Sequence, residues 1–284
     1  MKRIEKMISE SRPALLYHYT DQQGLLGILN NRAIWATAVG YLNDSSEFRH
    51  AREVARTVLN ARIANANLDD KTLLYDLLAT IDTTGGNICV TSFSVQGDSL
   101  SQWRAYSGSG AGYAIGFDSK RLDLIAKANE CKLAKCIYDD KAQFEFIDAI
   151  VETSLVENRL RKDEPVEGDD VDDLVPGGDF AYRINRYACV LKNGNFSSEE
   201  EWRLISRGIS YRRMQYRPGR STIVPYRSID LADSEGKMPV AEIVIGPTPQ
   251  PEQAGKAVFG LLYASGLKPM RISIRQSSIP FRNW

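Results

Sequence analysis

The sequence has few of the side chains on which most metal and disulfide sites are built. It contains two histidines and four cysteines in 284 residues. No two cysteines have the C-x-x-C spacing typical of zinc or redox sites. We therefore expect free thiols in a reducing compartment and no metal site.

The sequence also lacks an excess charge of either sign and any long apolar run. Lys plus Arg and Asp plus Glu are each 36, which argues against a protein dedicated as a whole to nucleic acid or to a membrane surface. No apolar run approaches the roughly 18 residues of a membrane span, and the first residues lack the apolar core of a signal peptide. We expect a cytoplasmic protein without a membrane partner.

The first informative stretch is Leu15–Glu47, where His18 stands between two tyrosines in a short apolar segment that predicts a strand. Asp21 is the expected N-cap of a following helix, and Ile34–Thr37 predicts a second strand. Alternation places His18 on the opposite face from its flanking tyrosines. A neutral imidazole suits hydroxyl recognition. A buried histidine that bonds a backbone carbonyl is equally consistent with the pattern.

The second stretch is the sequence DSLSQWRAY, which runs through a glycine-containing turn into the predicted strand Tyr113–Phe117. The glycines do not fit G-x-G-x-x-G and precede a strand, so no Rossmann dinucleotide site is predicted. Gln102 and Arg104 stand beside aromatic residues, an arrangement in which a guanidinium can fork onto a phosphate or stack on a base. An arginine in an internal salt bridge is the alternative.

The third stretch is FSSEEEWRLIS, in which the residues from Glu201 onward alternate as a strand. The alternation places Glu201, Arg203 and Ile205 on one face and Trp202 and Leu204 on the other. A carboxylate there, opposite a histidine on another strand, could line a cleft. The alternative is a surface pair of glutamate and arginine, which contributes little to stability.

Three further segments are polar or charged. Two of them have only a structural interpretation, and the third could also bind a ligand. In YLNDSSE, Asp44 or Ser45 caps a helix and Glu47 closes a capping box. Residues 163–173 carry seven acidic residues and belong to an acidic, flexible excursion over 157–180. Residues 202–229 contain seven arginines interleaved with tyrosines and no acidic residue. This basic segment either binds phosphates or single-stranded nucleic acid, or is a solvated face neutralised by the acidic residues.

The motifs YHYT, YLNDSSE, SQWRAY, GYAIGFD, FSSEEEWRL, EIVIGP and IPFR together resemble a bacterial domain-of-unknown-function family often carried near mobile and phage-defence loci. The resemblance extends from Leu16 to Arg282. That family in turn resembles the ADP-ribosyltransferases, including those that modify nucleic acids. These enzymes use a first-strand His or Arg, an aromatic or hydroxyl residue on a later element, and a late-strand Glu.

The resemblance implies that His18 and Glu201 are the catalytic residues and that Tyr41 or Ser94 takes the middle position. It implies NAD as the substrate, with Glu201 stabilising the oxocarbenium-like transition state and Arg104 on the pyrophosphate. His18 would bond a ribose hydroxyl. The implied cofactor-binding residues are His18, Tyr19, Thr20, Tyr41, Asn43, Ser94, Gln102 and Arg104.

We expect a single α+β domain over residues 1–284, with a mostly antiparallel split sheet around a cleft and flanking helices, as in ADP-ribosyltransferases. The expected function is NAD-dependent ADP-ribosyl transfer to nucleic acid or protein, as a toxin or phage-defence effector. The alternatives are an NAD glycohydrolase and a non-catalytic nucleotide or nucleic-acid binding protein. One pocket shared by His18 and Glu201 would favour catalysis, and a solvent-facing Glu201 paired with Arg203 would favour binding alone.

Overall fold

The computed structural model describes residues 2–42, 46–82, 87–108, 110–161, 178–219 and 221–281. Several residues singled out in the sequence lie outside this part of the chain. They are Asn43, Asp44, Ser45 and the acidic segment 163–173, together with the side chain of Glu47.

The described residues form helices and strands in alternation along the chain. The strands are β1 (Leu15–Thr20), β2 (Ala33–Ala38), β3 (Cys89–Ser94), β4 (Tyr113–Asp118), β5 (Cys131–Lys135), β6 (Glu201–Ser206), β7 (Gln215–Pro218), β8 (Ile223–Asp230), β9 (Val240–Ile245) and β10 (Ser273–Gln276). The helices are α1 (Lys2–Ser9), α2 (Gln22–Asn31), α3 (Ser46–Asn65), α4 (Leu68–Thr80), α5 (Leu100–Tyr106), α6 (Ser119–Ala128), α7 (Asp140–Arg161), α8 (Gly178–Ala188) and α9 (Pro251–Ala264).

The strands form one open sheet, which confirms the mixed α+β class and the mostly antiparallel pairing. The order along the main path is β10-β9-β4-β1-β3-β2-β8-β7, and β6 pairs with β3 and carries β5. The β9–β10 pair is parallel, whereas the other strand pairs are antiparallel.

Two strands share one edge of β3. Strand β6 pairs with β3 along residues 90–94 and therefore occupies a whole edge. On the other edge, β1 pairs through Tyr17 and Ser94, at the end of β3, and β2 pairs through residues 37–38, near its start. Because a strand has only two hydrogen-bonding edges, β1 and β2 must diverge between these points.

We call the resulting opening the fork. It is bounded by residues 18–20 of β1, residues 91–93 of β3 and residues 33–36 of β2. In the described part of the chain, these three segments form no strand pairs with one another. The other edges of β1 and β2 are fully paired, with β4 and β8. The single sheet therefore opens at this point between β1 and β2.

Helices cover both faces of the sheet. The face that we call the α2 face is covered by α2, α6 and α9, whose apolar residues pack on side chains such as Leu16, Phe93 and Trp202. The α3 face is covered over one part by α1, α3, α4, α7 and α8. Over another part of this face, Trp103 of α5 packs on Tyr19. Within the described residues, no helix is long and apolar enough to cross a membrane.

Local signals in the sequence explain where most elements begin and end. The Asp21 side chain accepts a hydrogen bond from the Gly24 amide at 2.7 Å, which confirms it as the N-cap of α2. Gly266 has φ of +74° just after α9, a conformation that favours glycine. The SQWRAY segment proved to be a helix, α5, and residues 194–199 form a 3-10 helix before β6.

The structure of the core predicts that truncating two different phenylalanines to alanine will lower the free energy of unfolding by very different amounts. Phe117 is fully buried and meets Phe93 edge-on, whereas Phe259 on α9 is 45% exposed. We expect Phe117→Ala to lower the free energy of unfolding by about 3–5 kcal/mol, because it leaves a cavity. Phe259→Ala should cost much less. Urea denaturation of both variants checks this, and equal losses would contradict the assigned core.

Candidate functional site

His18 lies in the fork. Its side chain hydrogen-bonds a part of β3 where the edge towards β1 and β2 pairs with no strand in the described chain. Its Nδ1 is 2.9 Å from the Ser92 carbonyl oxygen. Since a carbonyl only accepts, Nδ1 carries the hydrogen and Nε2 of the neutral ring keeps its lone pair. Burial lowers the pKa of His18, and the bond to Ser92 only partly opposes this. At neutral pH the side chain is therefore a neutral imidazole that can accept a hydrogen bond through Nε2.

Glu201 is the first residue of β6 and is only 6% exposed. Its Oε1 accepts from Arg203 Nε at 2.8 Å, and its Oε2 accepts from Arg203 Nη2 at 3.1 Å and from Lys192 Nζ at 2.6 Å. Burial raises the pKa of Glu201, but the charges and hydrogen bonds of Arg203 and Lys192 outweigh burial and lower it to about 2. The carboxylate is thus ionised and held by three hydrogen bonds.

The charges around Glu201 form a larger buried group. Lys192 also bonds Glu199 at 2.5 Å, and the Arg203 guanidinium donates to the Cys189 carbonyl. Burial lowers the pKa of Lys192, but Glu201 and Glu199 outweigh this and raise it. We call Lys192, Glu199, Glu201 and Arg203 the charge cluster. It contains two cations and two carboxylates, so its formal charges balance.

The structure does not place His18 and Glu201 in one pocket. Tyr17, Ser94 and Glu201 lie in one row across β1, β3 and β6, so Glu201 shares the α3 face with Tyr17. Alternation puts His18 on the α2 face, where its ring is 5.8 Å from that of Phe93. Two strand spacings of about 4.8 Å separate β1 from β6. Glu201 is not solvent-facing either, so neither arrangement anticipated from the sequence is met.

Of the two candidates for the middle position, only Ser94 lies beside Glu201. Ser94 pairs directly with it across β3 and β6, and the Ser94 hydroxyl donates to the Glu199 carbonyl at 3.1 Å. Tyr41 is exposed and follows the end of β2 that meets the start of β3. It therefore lies at the other end of β3 from Ser94.

The other predicted binding residues have mainly local contacts. Tyr19 is buried, and its hydroxyl donates to the Gln96 carbonyl at 2.7 Å and accepts from the Ser99 amide at 3.0 Å. Thr20 ends β1 beside α2. Gln102 is partly buried in α5.

Arg104 lies on the surface of α5. Its guanidinium lies 5.5 Å from the centre of the Phe281 ring, and no carboxylate in the described part of the chain pairs with it. The internal salt bridge considered for Arg104 is therefore not observed among these residues. An exposed guanidinium on an aromatic ring keeps its donors available for a phosphate.

Sequence reasoning missed two members of the charge cluster and one neighbour. Lys192 follows an apolar run, and no spacing pattern connects it to Glu201. No motif in the sequence assigns Glu199 to a site. Tyr106 lies close to the charge cluster. Burial is the largest cause that raises the pKa of Tyr106, and the negative charges of Glu201 and Glu199 raise it further. Within the described residues, no group of three or more His, Cys, Asp or Glu side chains is placed to hold a metal.

A family model described as "Protein of unknown function (DUF2971)" matches residues 102–204, so the chain contains this domain there. The matched range begins in α5 and ends in β6. It includes Gln102, Arg104 and Glu201 but neither His18 nor Ser94. None of the curated proteins compared with this sequence matches it.

The charge cluster predicts a specific dependence of stability on pH. The pKa of Glu201 is about 2 in the folded protein against an ordinary 4.5. The stabilisation is therefore complete above about pH 4.5 and is lost as the pH falls towards 2. Near neutral pH, we expect Glu201→Gln to lower the free energy of unfolding by about 3–5 kcal/mol, because the buried Lys192 and Arg203 both lose the negative charge of Glu201.

Urea denaturation from neutral pH to about pH 3 tests this. The difference between wild type and Glu201→Gln should shrink as the pH falls, because the Glu201 carboxyl takes up a proton in the unfolded state below about pH 4.5 but stays ionised in the folded state until near pH 2. Glu235→Gln is the control, since Glu235 pairs with Lys237 on the exposed surface. A difference that stays constant with pH would contradict the depressed pKa.

Proposed function

We propose that the protein cleaves NAD and transfers ADP-ribose, with its site formed by the fork and the charge cluster. The observation that carries the proposal is the His18 side chain in the fork. Its Nδ1 is occupied by the Ser92 carbonyl and its ring is neutral, so Nε2 is suited to accept from a ribose hydroxyl. This is the role that the resemblance to ADP-ribosyltransferases implies for a first-strand histidine.

Glu201 supplies the second requirement of this chemistry, a carboxylate that stays ionised. Cleavage breaks the bond between nicotinamide nitrogen and C1′ of the ribose, and the electron pair leaves with nicotinamide. The acceptor then bonds to C1′ and releases a proton. A fixed negative charge near C1′ stabilises the oxocarbenium-like state between these events. The pKa of about 2 keeps Glu201 charged at any physiological pH.

The two residues act on different parts of the substrate in this proposal, because they lie on opposite faces of the sheet. We assign Glu201 to the charge that develops at C1′ of the nicotinamide ribose, and His18, in the fork, to a hydroxyl of the other ribose of NAD. Ser94 lies beside Glu201 and takes the middle position. Arg104, exposed on α5, is assigned to the pyrophosphate.

A second function is favoured by the salt bridges of Glu201. Lys192 and Arg203 already neutralise the carboxylate, which weakens its field at a substrate. A protein of this kind would bind the nucleotide without cleaving it. Transfer of the ribose to water, as in an NAD glycohydrolase, is a variant of the first function.

Nicotinamide release from NAD by the purified protein, with and without RNA, DNA and cell lysate, tests the proposal. We expect Glu201→Gln to lower the rate about 100-fold or more while NAD binding is retained, because the charge acts mainly in the transition state. His18→Ala should weaken NAD binding itself. Glu130→Gln is the control, because Glu130 pairs with Arg207 on the surface.

The outcomes separate the two functions. Binding of NAD without nicotinamide release in any mixture would support the non-catalytic function. Failure to bind NAD would overturn both. A circular dichroism melt of each variant shows whether lost activity reflects lost folding, and His18→Gln provides a milder substitution if His18→Ala does not fold.

A further inference from the structure

An exposed tryptophan stands on β2, between two residues that are buried in the core. Trp35 is 47% exposed, whereas its neighbours Ile34 and Ala36 are buried on the α2 face. Trp35 therefore points to the α3 face, the face that also carries Glu201. A large aromatic residue so exposed in the middle of a strand contributes little to the core and is available to a ligand.

Neighbouring strands place an aromatic ring and a guanidinium against Trp35. The Tyr226 ring of β8 lies 4.5 Å from that of Trp35, between ring centres. The Arg217 guanidinium of β7 lies 5.9 Å from the Trp35 ring and donates to the Thr37 hydroxyl at 3.2 Å. These contacts hold Trp35 in one orientation and leave it accessible. We call Trp35, Tyr226 and Arg217 the aromatic–basic face; the exposed Arg212 and Arg213 directly precede β7 in the chain.

The arginines of residues 202–229 differ in whether they pair with a carboxylate. Arg203 pairs with Glu201, and Arg207 pairs with Glu130 at 2.8 Å. In contrast, Arg212, Arg213 and Arg217 have no carboxylate partner in the part of the chain that the structure describes. The acidic segment 163–173, considered as a neutralising partner, lies outside the described residues. The face therefore combines an exposed aromatic ring with an arginine that pairs with no described carboxylate, and two more such arginines precede β7.

We propose that the aromatic–basic face binds single-stranded nucleic acid. A base stacks on Trp35, and the arginines contact the flanking phosphates. The bases must be unpaired, because a base inside a duplex offers no free face for stacking. The proposal rests on the geometry of β2, β7 and β8 and does not depend on NAD cleavage. If the transfer reaction holds, this face is where a nucleic-acid acceptor would bind, next to the fork that β2 borders.

Fluorescence anisotropy with labelled oligonucleotides of about 12 nucleotides tests the proposal without NAD. The probes are single-stranded RNA, single-stranded DNA and a duplex of the same sequence. We expect saturable binding to at least one single strand, weaker binding to the duplex, and quenching of tryptophan fluorescence. A comparison of the RNA and DNA arms then identifies which single strand is preferred.

Two variants and two matched controls assign the binding to this face. We expect Trp35→Ala to weaken binding about tenfold or more, through lost stacking. Arg217→Ala should weaken binding and reduce the slope of log affinity against log salt by about 0.7. Tyr263→Ala removes an even more exposed aromatic residue from α9, and Arg207→Ala removes a paired arginine of the same segment. Both controls should bind as wild type does.

Three results would overturn the proposal. The first is no binding of any single strand at low salt. The second is equal affinity for single strand and duplex with Trp35→Ala unaffected, which would show a phosphate-binding patch without stacking. The third is loss of binding in the controls as large as in the variants. A thermal melt of Trp35→Ala detects unfolding, and Trp35→Phe, which keeps an aromatic ring, should then retain binding.

Discussion

The fork depends on one rule of hydrogen bonding: a strand has only two edges. Strand β6 occupies one edge of β3 over residues 90–94, so β1 and β2 must divide the other. Between them, the Ser92 carbonyl would lack a strand partner on that edge. His18 supplies the missing donor, and in doing so its own tautomer becomes fixed. The feature that makes His18 a candidate binding residue is therefore the same one that stabilises the divergence of the two strands.

The charge cluster is a different kind of constraint, because it is costly to bury. Lys192, Glu201 and Arg203 lose hydration when they are buried, and only close mutual pairing offsets that loss. Glu201 bonds both cations, and its backbone is also held, since its amide donates to the Tyr138 hydroxyl oxygen at 2.9 Å and its carbonyl accepts from the Cys136 amide. The start of β6 is thus fixed in position relative to β3 and β5. A fixed, ionised carboxylate is suited to electrostatic catalysis, whereas the same bonds to Lys192 and Arg203 weaken its field at a substrate.

The proposed NAD site and the aromatic–basic face adjoin each other through β2. One edge of this strand borders the fork and the other pairs with β8, which carries Tyr226. Trp35 and Glu201 are on the same face of the sheet, so a strand of nucleic acid on Trp35 would lie on the side where Glu201 acts. The DUF2971 match covers α5 to β6 and therefore includes Glu201 but not Trp35 or His18. The combined arrangement is a property of the whole sheet rather than of the matched region.

The sequence by itself determined the local structure of the site. Short apolar segments predicted β1 and β2, alternation predicted β6 and the faces of Glu201 and Trp202 within it, and Asp21 was expected as the cap of α2, because these features depend on neighbours within a few residues. Only the tertiary structure decided that His18 and Glu201 lie on opposite faces. Alternation gives the two faces of each strand, but pairing register decides which of them is shared with the next strand. The packing of distant segments likewise decides that Lys192 bonds Glu201 and that Trp35 stays exposed. A local sequence pattern contains no information about such packing.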